Sequence, residues 1–449
     1  MESEPGAGRS GSVSRTGRAF GVVGAGVSGL TAAYLLTRAG HHVTVYEAGD
    51  RLGGHAHTHQ VTEPDGRTLA VDSGFIVYNE RTYPRLTKLF AELGVPGQES
   101  EMSMSVRCGG CGLQYAGHRG LRGLLPGLPA GRGRYARMLT EVPAFHRQAR
   151  ALLAAGGHDD DLTLGQFLAA GGFSGYFTHH FALPLVAAVW SCPPGTALRY
   201  PARYLFEFLR NHGMLSVSGS PPWRTVTGGS QSYVRQIARR IPAVHTSAPA
   251  RAVERFPDGA AITDCAGRTT TFDAVVVATH ADQALTLLAH PTPAEEKVLG
   301  AFPYSANPAL LHTDERLLPA RPGVRASWNY QLSACHGPQQ QTRISYYMNR
   351  LQRLPAGRDY IVTLGGDGAV AESAVIDRMD YAHPAYTRES VAAQRRLPAL
   401  STAVTAFAGA YHGWGFHEDG AASGLRAACR LGAEWPAAES EQYVEGLAC

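Results

Sequence analysis

The chain has 449 residues, of which 44% are hydrophobic and 17% charged, and a formal net charge of +4. That length provides for two domains or one large two-part body with ample material for a core. Lys88 and Lys297 are the only lysines, so 39 of the 41 basic residues are arginine. They are scattered rather than gathered in one stripe, which argues against a nucleic-acid partner.

Residues 1–17 are Gly, Ser, Arg and Glu with almost no apolar content, and read as a disordered tail. No signal-peptide core is visible. The apolar stretch Phe181 to Trp190 contains Pro184 and is too short to span a bilayer. A cytoplasmic protein without a transmembrane segment is expected. Seven cysteines without regular spacing suit reduced thiols.

Residues 19–24 form a short apolar run suited to a buried parallel strand, and it ends in Gly24-Ala25-Gly26-Val27-Ser28-Gly29. Gly24 permits a tight turn, Gly26 lets a pyrophosphate approach the backbone, and Gly29 lets the helix Leu30 to Arg38 pack on the strand. Val27 and Ser28 stand at that helix N-terminus, whose unpaired N–H groups and dipole favour an anion. His42 to Glu47 reads as the next strand. Glu47 lies 23 residues beyond Gly24, near the spacing of a ribose-binding carboxylate, and an acid there disfavours NADP.

The extension Asp50-Arg51-Leu52-Gly53-Gly54 resembles the flavin amine oxidase superfamily, which includes monoamine oxidases, phytoene desaturases and protoporphyrinogen oxidases. The resemblance implies FAD, with Arg51 on its phosphates and Gly53 and Gly54 in the same turn. It also implies an α/β fold, a Rossmann-like FAD-binding domain (GR2-type) interleaved with a mixed α+β substrate domain. The expected boundaries are 18–80, 225–300 and 400–449 for FAD, and 81–224 and 301–399 for the substrate or cap domain.

Further along, Leu69 to Tyr78 is placed as the superfamily segment that passes the isoalloxazine, with Gly74 and Phe75 beside the ring. His55, His57 and His59 alternate, but no carboxylate or cysteine partner is evident in the sequence, so no metal site is expected. Cys108-Gly-Gly-Cys111 looks like half a zinc knuckle without a second half, and reads as a hairpin tip between Met102–Arg107 and Leu113–Ala116. Residues 84–93 and 134–155 have helical spacing, 120–133 is a Gly/Pro/Arg loop, and 176–215 reads as two helices broken at Ser191 to Gly195.

Thr227 to Val234 resembles the superfamily's Gly-Gly segment, or is a plain helix start capped by Ser230. Val253 resembles the residue whose backbone holds adenine, and Thr279 ends a strongly β run in the Ala-Thr turn that closes the sheet over the dinucleotide. Strands over 343–348 and 360–364 suggest a substrate-facing sheet.

In the C-terminal segment a helix is expected to begin near Gly420. The resemblance implies that Gly420 and Ala421 turn their amides to the flavin pyrimidine edge, which gains negative charge on reduction. Where many relatives carry a ribityl-binding acid this chain has Ala410, so Glu418 or Asp419 is the candidate replacement. His412 and His417 are the candidate active-site histidines, His212 a further one, and Trp414 and Phe416 could wall the ring face. No cysteine stands where covalent flavin would need one, so the FAD is expected to be non-covalent. Amine-oxidising relatives hold a water near flavin N5 through a lysine on a strand, and neither Lys88 nor Lys297 sits on one.

A closer similarity, to bacterial predicted NAD/FAD-binding proteins linked to lipid modification, rests on Gly53 to Thr58, Trp190-Ser191, Phe208 to Gly213, Trp328 to Tyr330, Tyr347 to Leu351, His383-Pro384 and Gly415 to Gly420 as a set. Together these imply hydride transfer to flavin N5 from a small, mostly apolar substrate, by C–C desaturation or double-bond isomerisation. The alternatives are an amine or amino-acid oxidase producing hydrogen peroxide, and a non-catalytic flavoprotein partner of a lipid-modifying enzyme.

Overall fold

The computed structural model describes residues 17–117, 123–124, 132–156, 162–216, 219–335 and 342–435. The N-terminal tail and most of the 120–133 loop lie outside these. The strand β1 (Ala19–Val23) sits at the centre of a five-stranded parallel sheet, between Ala274–Val277 and β2 (His42–Tyr46), with Thr405–Phe407 and Ala243–His245 at the edges. Its Val and Phe side chains are fully buried, as a strand covered on both faces requires.

One face carries α1 (Val27–Arg38) and the C-terminal helix His417–Arg430. These two cross on small residues. A Cβ at Gly424 would lie 2.2 Å from Ser28 O, and one at Gly420 would lie 2.5 Å from Val27 Cγ1. The opposite face is covered by the antiparallel strands Ala250–Phe256, Gly259–Asp264 and Thr269–Phe272, whose Ile262 and Phe272 close against Gly21. This half is Rossmann-like.

The other half is a seven-stranded sheet in the order Val375–Pro384, Tyr304–His312, Ile361–Leu364, Arg343–Tyr347, Trp328–Leu332, Met104–Cys108, Gln114–Ala116. All its pairings are antiparallel except that of Trp328–Leu332 with Met104–Cys108. Helices over 132–154, 183–190 and 202–211 pack on it through one aromatic-rich core. The chain therefore leaves the parallel sheet after Tyr46, returns at Ala243, leaves for the three antiparallel strands and returns at Ala274, then leaves after Val277 and returns at Thr405.

The two helices expected over 176–215 are shorter pieces, with a π turn at Thr178–Ala182 before Leu183–Trp190. Cys108, Cys111, Cys192, Cys265 and Cys335 are free thiols but Cys429 is disulfide-bonded, which corrects the expectation of reduced thiols throughout. Among the described residues no helix is long and apolar enough to cross a membrane.

Candidate flavin site

The β1–α1 turn is built by its glycines. Gly24 has φ +96°, and a Cβ there would meet Ala278 O at 2.7 Å; one on Gly29 would lie 1.9 Å from Gly24 O. Gly26 differs. It N-caps α1, and a Cβ on it would meet nothing within 4 Å, so this glycine faces open space. The Gly53-Gly54 turn folds onto the same place, with Gly53 N donating to Ala25 O at 2.9 Å and Gly54 lying against Gly26 Cα. Glu47 accepts from Ala25 N and Gly49 N, both at 2.8 Å, and so fixes the turn from the end of β2. Arg51 is half-buried, and its Nη1 has no hydrogen-bond partner. An open cradle at a helix N-terminus beside an unpaired guanidinium fits a dinucleotide pyrophosphate.

The C-terminal segment packs against α1 beside this turn. The helix starts at His417, three residues earlier than expected, because Phe416 is its extended N-cap and Asp419 accepts from Phe416 N at 2.9 Å. Gly420 N already donates to Phe416 O at 3.0 Å. It and Ala421 are therefore inside the helix, and the first-turn amides are those of His417, Glu418 and Asp419. The Glu418 carboxylate is engaged elsewhere. It accepts from Arg85 N at 3.1 Å and Leu86 N at 3.0 Å, capping α2 (Pro84–Leu93), and pairs with Arg85. Burial raises its pKa to about 7 and that of Asp419 to about 6.

Phe75 stacks on His417 with ring centroids 3.8 Å apart, and Tyr233 OH bonds His417 Nε2 at 3.1 Å. Phe416 stacks on Phe208 at 4.8 Å, while Trp414 meets Phe208 edge-on at 5.7 Å and Trp190 Nε1 donates to Trp414 O. His412 Nε2 and Trp414 Nε1 have no protein hydrogen-bond partner. Burial pushes His412 and His417 down to about 3 and His212 to about 4. His412, His417 and Tyr204 each keep some accessible surface, and burial is the largest cause of the shift in each.

Several expected residues stand elsewhere. The close approach that requires Gly74 is to His55, whose carbonyl would lie 2.2 Å from a Cβ. Val253 is fully buried and its carbonyl accepts from Ala289 N, while Ala248, two residues before the strand Ala250–Phe256, donates its N–H to Glu47 O. Thr279 stays at the turn beside Gly24. His212 bonds Phe208 O and stacks on its ring. The three alternating histidines do not share a strand face, since the strand Thr58–Thr62 starts after His57. His55 stacks on Tyr381, while His57 and His59 meet Asp377, a carboxylate partner that the sequence did not reveal. Likewise Cys108 and Cys111 gain His180 and Cys335, against the expectation of no metal-ligating cluster.

Asp72 is the residue that sequence reasoning missed. It is wholly buried and accepts from Ser230 N, Ser230 Oγ, Thr58 Oγ1 and Gln352 Nε2. It thus ties the Gly228-Gly229 turn, where a Cβ on Gly229 would lie 2.4 Å from Thr58 Cγ2, to the seven-stranded half. Ser230 makes no side-chain cap; Thr58 Oγ1 accepts from Gln231 N at that helix start instead. A buried acid flanked by hydroxyl residues in a β segment was the available signal.

The flavin containing amine oxidoreductase family model matches residues 27–320. AofH of Mycobacterium tuberculosis, assigned by name to the flavin-containing monoamine oxidases, is 29% identical over 262 residues, 55% of this chain and 54% of that protein. The chain thus spans about half the length of the curated relative it matches. Among solved structures, cyclohexylamine oxidase from Brevibacterium oxydans aligns with a TM-score of 0.68 at 17% identity, over 92% of this chain and 98% of the other. A CLA-producing fatty acid isomerase from P. acnes aligns at 0.61 and 14%, with the same coverage. At these identities the solved structures speak for the fold alone.

Proposed function

The chain belongs to the flavin-containing amine oxidoreductase family, whose cofactor is FAD, and from that premise we propose an oxidoreductase that takes hydride from a mostly apolar small molecule, by C–C desaturation or double-bond isomerisation. In this reading Gly26, Val27, Ser28, Arg51 and Gly54 hold the pyrophosphate, Glu47 the ribose, and Thr279 the closing turn. The first-turn amides of His417, Glu418 and Asp419, rather than the amide of Gly420 that is bonded within the helix, serve the flavin edge, and the Asp419 carboxylate holds the preceding loop. Bound FAD supplies the hydride acceptor.

The chain's own contribution is positioning and exclusion of water. The single observation that carries the reading is the uncharged wall of Trp414, Phe416, Phe208, Trp190 and Tyr204 beside that helix start, with no lysine near it. Lys88 lies on α2 over the Trp435 ring, and Lys297 lies on the helix Pro293–Leu299. Neither can hold a water at the ring. His412 and His417, held down to about 3, are neutral at physiological pH. They can accept a hydrogen bond but supply no proton, which suits hydride removal and return better than acid–base chemistry.

A second reading, an amine or amino-acid oxidase, is favoured by the similarity to AofH. Anaerobic mixing of the holoprotein with fatty acids, polyenes and amines separates them. We expect an apolar substrate to bleach the flavin, or to be isomerised without hydrogen peroxide. Bleaching by amines alone, with peroxide formed in proportion when air is admitted, would overturn the proposal in favour of the oxidase.

A further inference from the structure

We propose that Cys108, Cys111, His180 and Cys335 bind a structural Zn2+ at the edge of the seven-stranded sheet, outside the flavin site. The four ligand atoms come from three separate places in the chain and all lie within 4.8 Å of one another. Cys108 Sγ and Cys335 Sγ are 3.6 Å apart, and Cys111 Sγ is 3.7 Å from His180 Nε2. A tetrahedral zinc with ordinary bond lengths sets S···S near ~3.8 Å and S···N near ~3.5 Å. These two of the six separations already match the bound ion, and the rest lie within 4.8 Å.

The surroundings are those of a ligand set rather than of packed thiols. His180 Nδ1 lies 3.0 Å from Tyr176 O, which makes it the protonated nitrogen and leaves the Nε2 lone pair directed at the cysteines. Tyr115 OH anchors the His180 carbonyl at 2.8 Å, and the Tyr176 ring stacks on the imidazole at 3.9 Å. The Cys108-Gly-Gly-Cys111 hairpin tip folds as a knuckle. Gly112 has φ +71° and donates to Cys108 O, and Leu113 N–H bonds the Cys111 sulfur. A Cβ on Gly110 would lie 2.8 Å from Cys335 N, so only glycine lets the tip reach the third cysteine.

Three thiolates and one imidazole complete a four-coordinate shell with no open position, the mark of a structural site. Binding Zn2+ displaces three thiol protons and leaves the site with one net negative charge. The ion would join the sheet-edge hairpin, the end of Trp328–Leu332 and the π turn that presents His180. A π turn shifts one residue of register within a helix, which gives that turn its role here.

The holoprotein, purified without chelators, is expected to carry about one zinc per chain by elemental analysis, falling below about a tenth in C111S and H180A but not in C265S. Since a ligand variant could fail to fold, the wild type provides a second test. Replacement of its zinc by Co2+ should give thiolate ligand-field absorption in the red, where oxidised flavin does not absorb. Zinc absent from wild type even after incubation of the reduced protein with Zn2+, iron in its place, or a Cys108–Cys335 disulfide in fresh protein would each overturn the assignment.

Discussion

Gly26 and Gly29 stand three residues apart in one turn and need glycine for different reasons. Gly29 is in contact with Gly24 O and Ala278, whereas Gly26 faces nothing within 4 Å and has an ordinary φ of −71°. Gly26→Ala should therefore fold with an unchanged unfolding temperature in the flavin-free protein yet purify with little FAD, because its methyl group takes the phosphate's place. Gly29→Ala should instead lose the fold. If Gly26→Ala kept full flavin, the pyrophosphate would not lie where we place it. Arg51 adds charge to the same cradle. Hydrogen bonds to charged groups contribute about 1.5–3 kcal/mol, so Arg51→Ala should weaken FAD binding by roughly 10- to 100-fold in a reconstitution titration.

At the scale of elements, the crossing of α1 with the C-terminal helix joins the two ends of the site. Ser423 Oγ accepts from Gly409 N and donates to Gly420 O, while Gly424 lies against Ser28 O. Gly424→Ala should overpack this crossing at a cost of about 1–3 kcal/mol, lowering the thermal unfolding midpoint and flavin occupancy together. Asp72 plays the corresponding part between the strand hairpin Thr58–Asp72 and the Gly228-Gly229 turn. Asp72→Ala leaves Ser230 N–H and Gln352 Nε2 unpaired, at about 1–3 kcal/mol for each buried group. Asp72→Asn, which keeps an acceptor, should lose much less in denaturant titrations, and equal losses would show that Asp72 acts through its charge.

At the scale of the whole molecule, burial sets the response to acid. His57, His212, His312 and His383 are held near 4, and His412 and His417 near 3, from an ordinary 6.5. Unfolded histidines take up protons as pH falls through 6.5 and these folded ones do not, so their contribution is present above 6.5 and is lost towards pH 4. Asp72 and Asp419, raised to about 6, and Glu418, raised to about 7, act in the opposite sense: their contribution is full below their unfolded values and lost as pH rises through 6 to 7. The histidines outnumber the carboxylates and shift at least as far. The temperature of flavin release should therefore fall as pH drops from about 7 to about 5. A rise over that range would mean that the carboxylates dominate.

The dinucleotide turn was legible from the sequence because its requirements are local. Positive φ at Gly24, close approach at Gly29 and an acid at the end of the next strand are conditions on residues within one βαβ unit. The parallel strands, the Cys108–Cys111 hairpin and the helix at 84–93 were readable for the same reason. The C-terminal helix start was misplaced at Gly420 because small residues there signal a turn, whereas their use is to let α1 approach, and Asp419 sets the true start. Only the tertiary structure could decide that Glu418 caps a helix more than 300 residues away, that Asp72 holds Ser230, and that His180 and Cys335 complete Cys108 and Cys111. Those pairings depend on burial and on contacts between distant segments, which leave no spacing in the sequence to read.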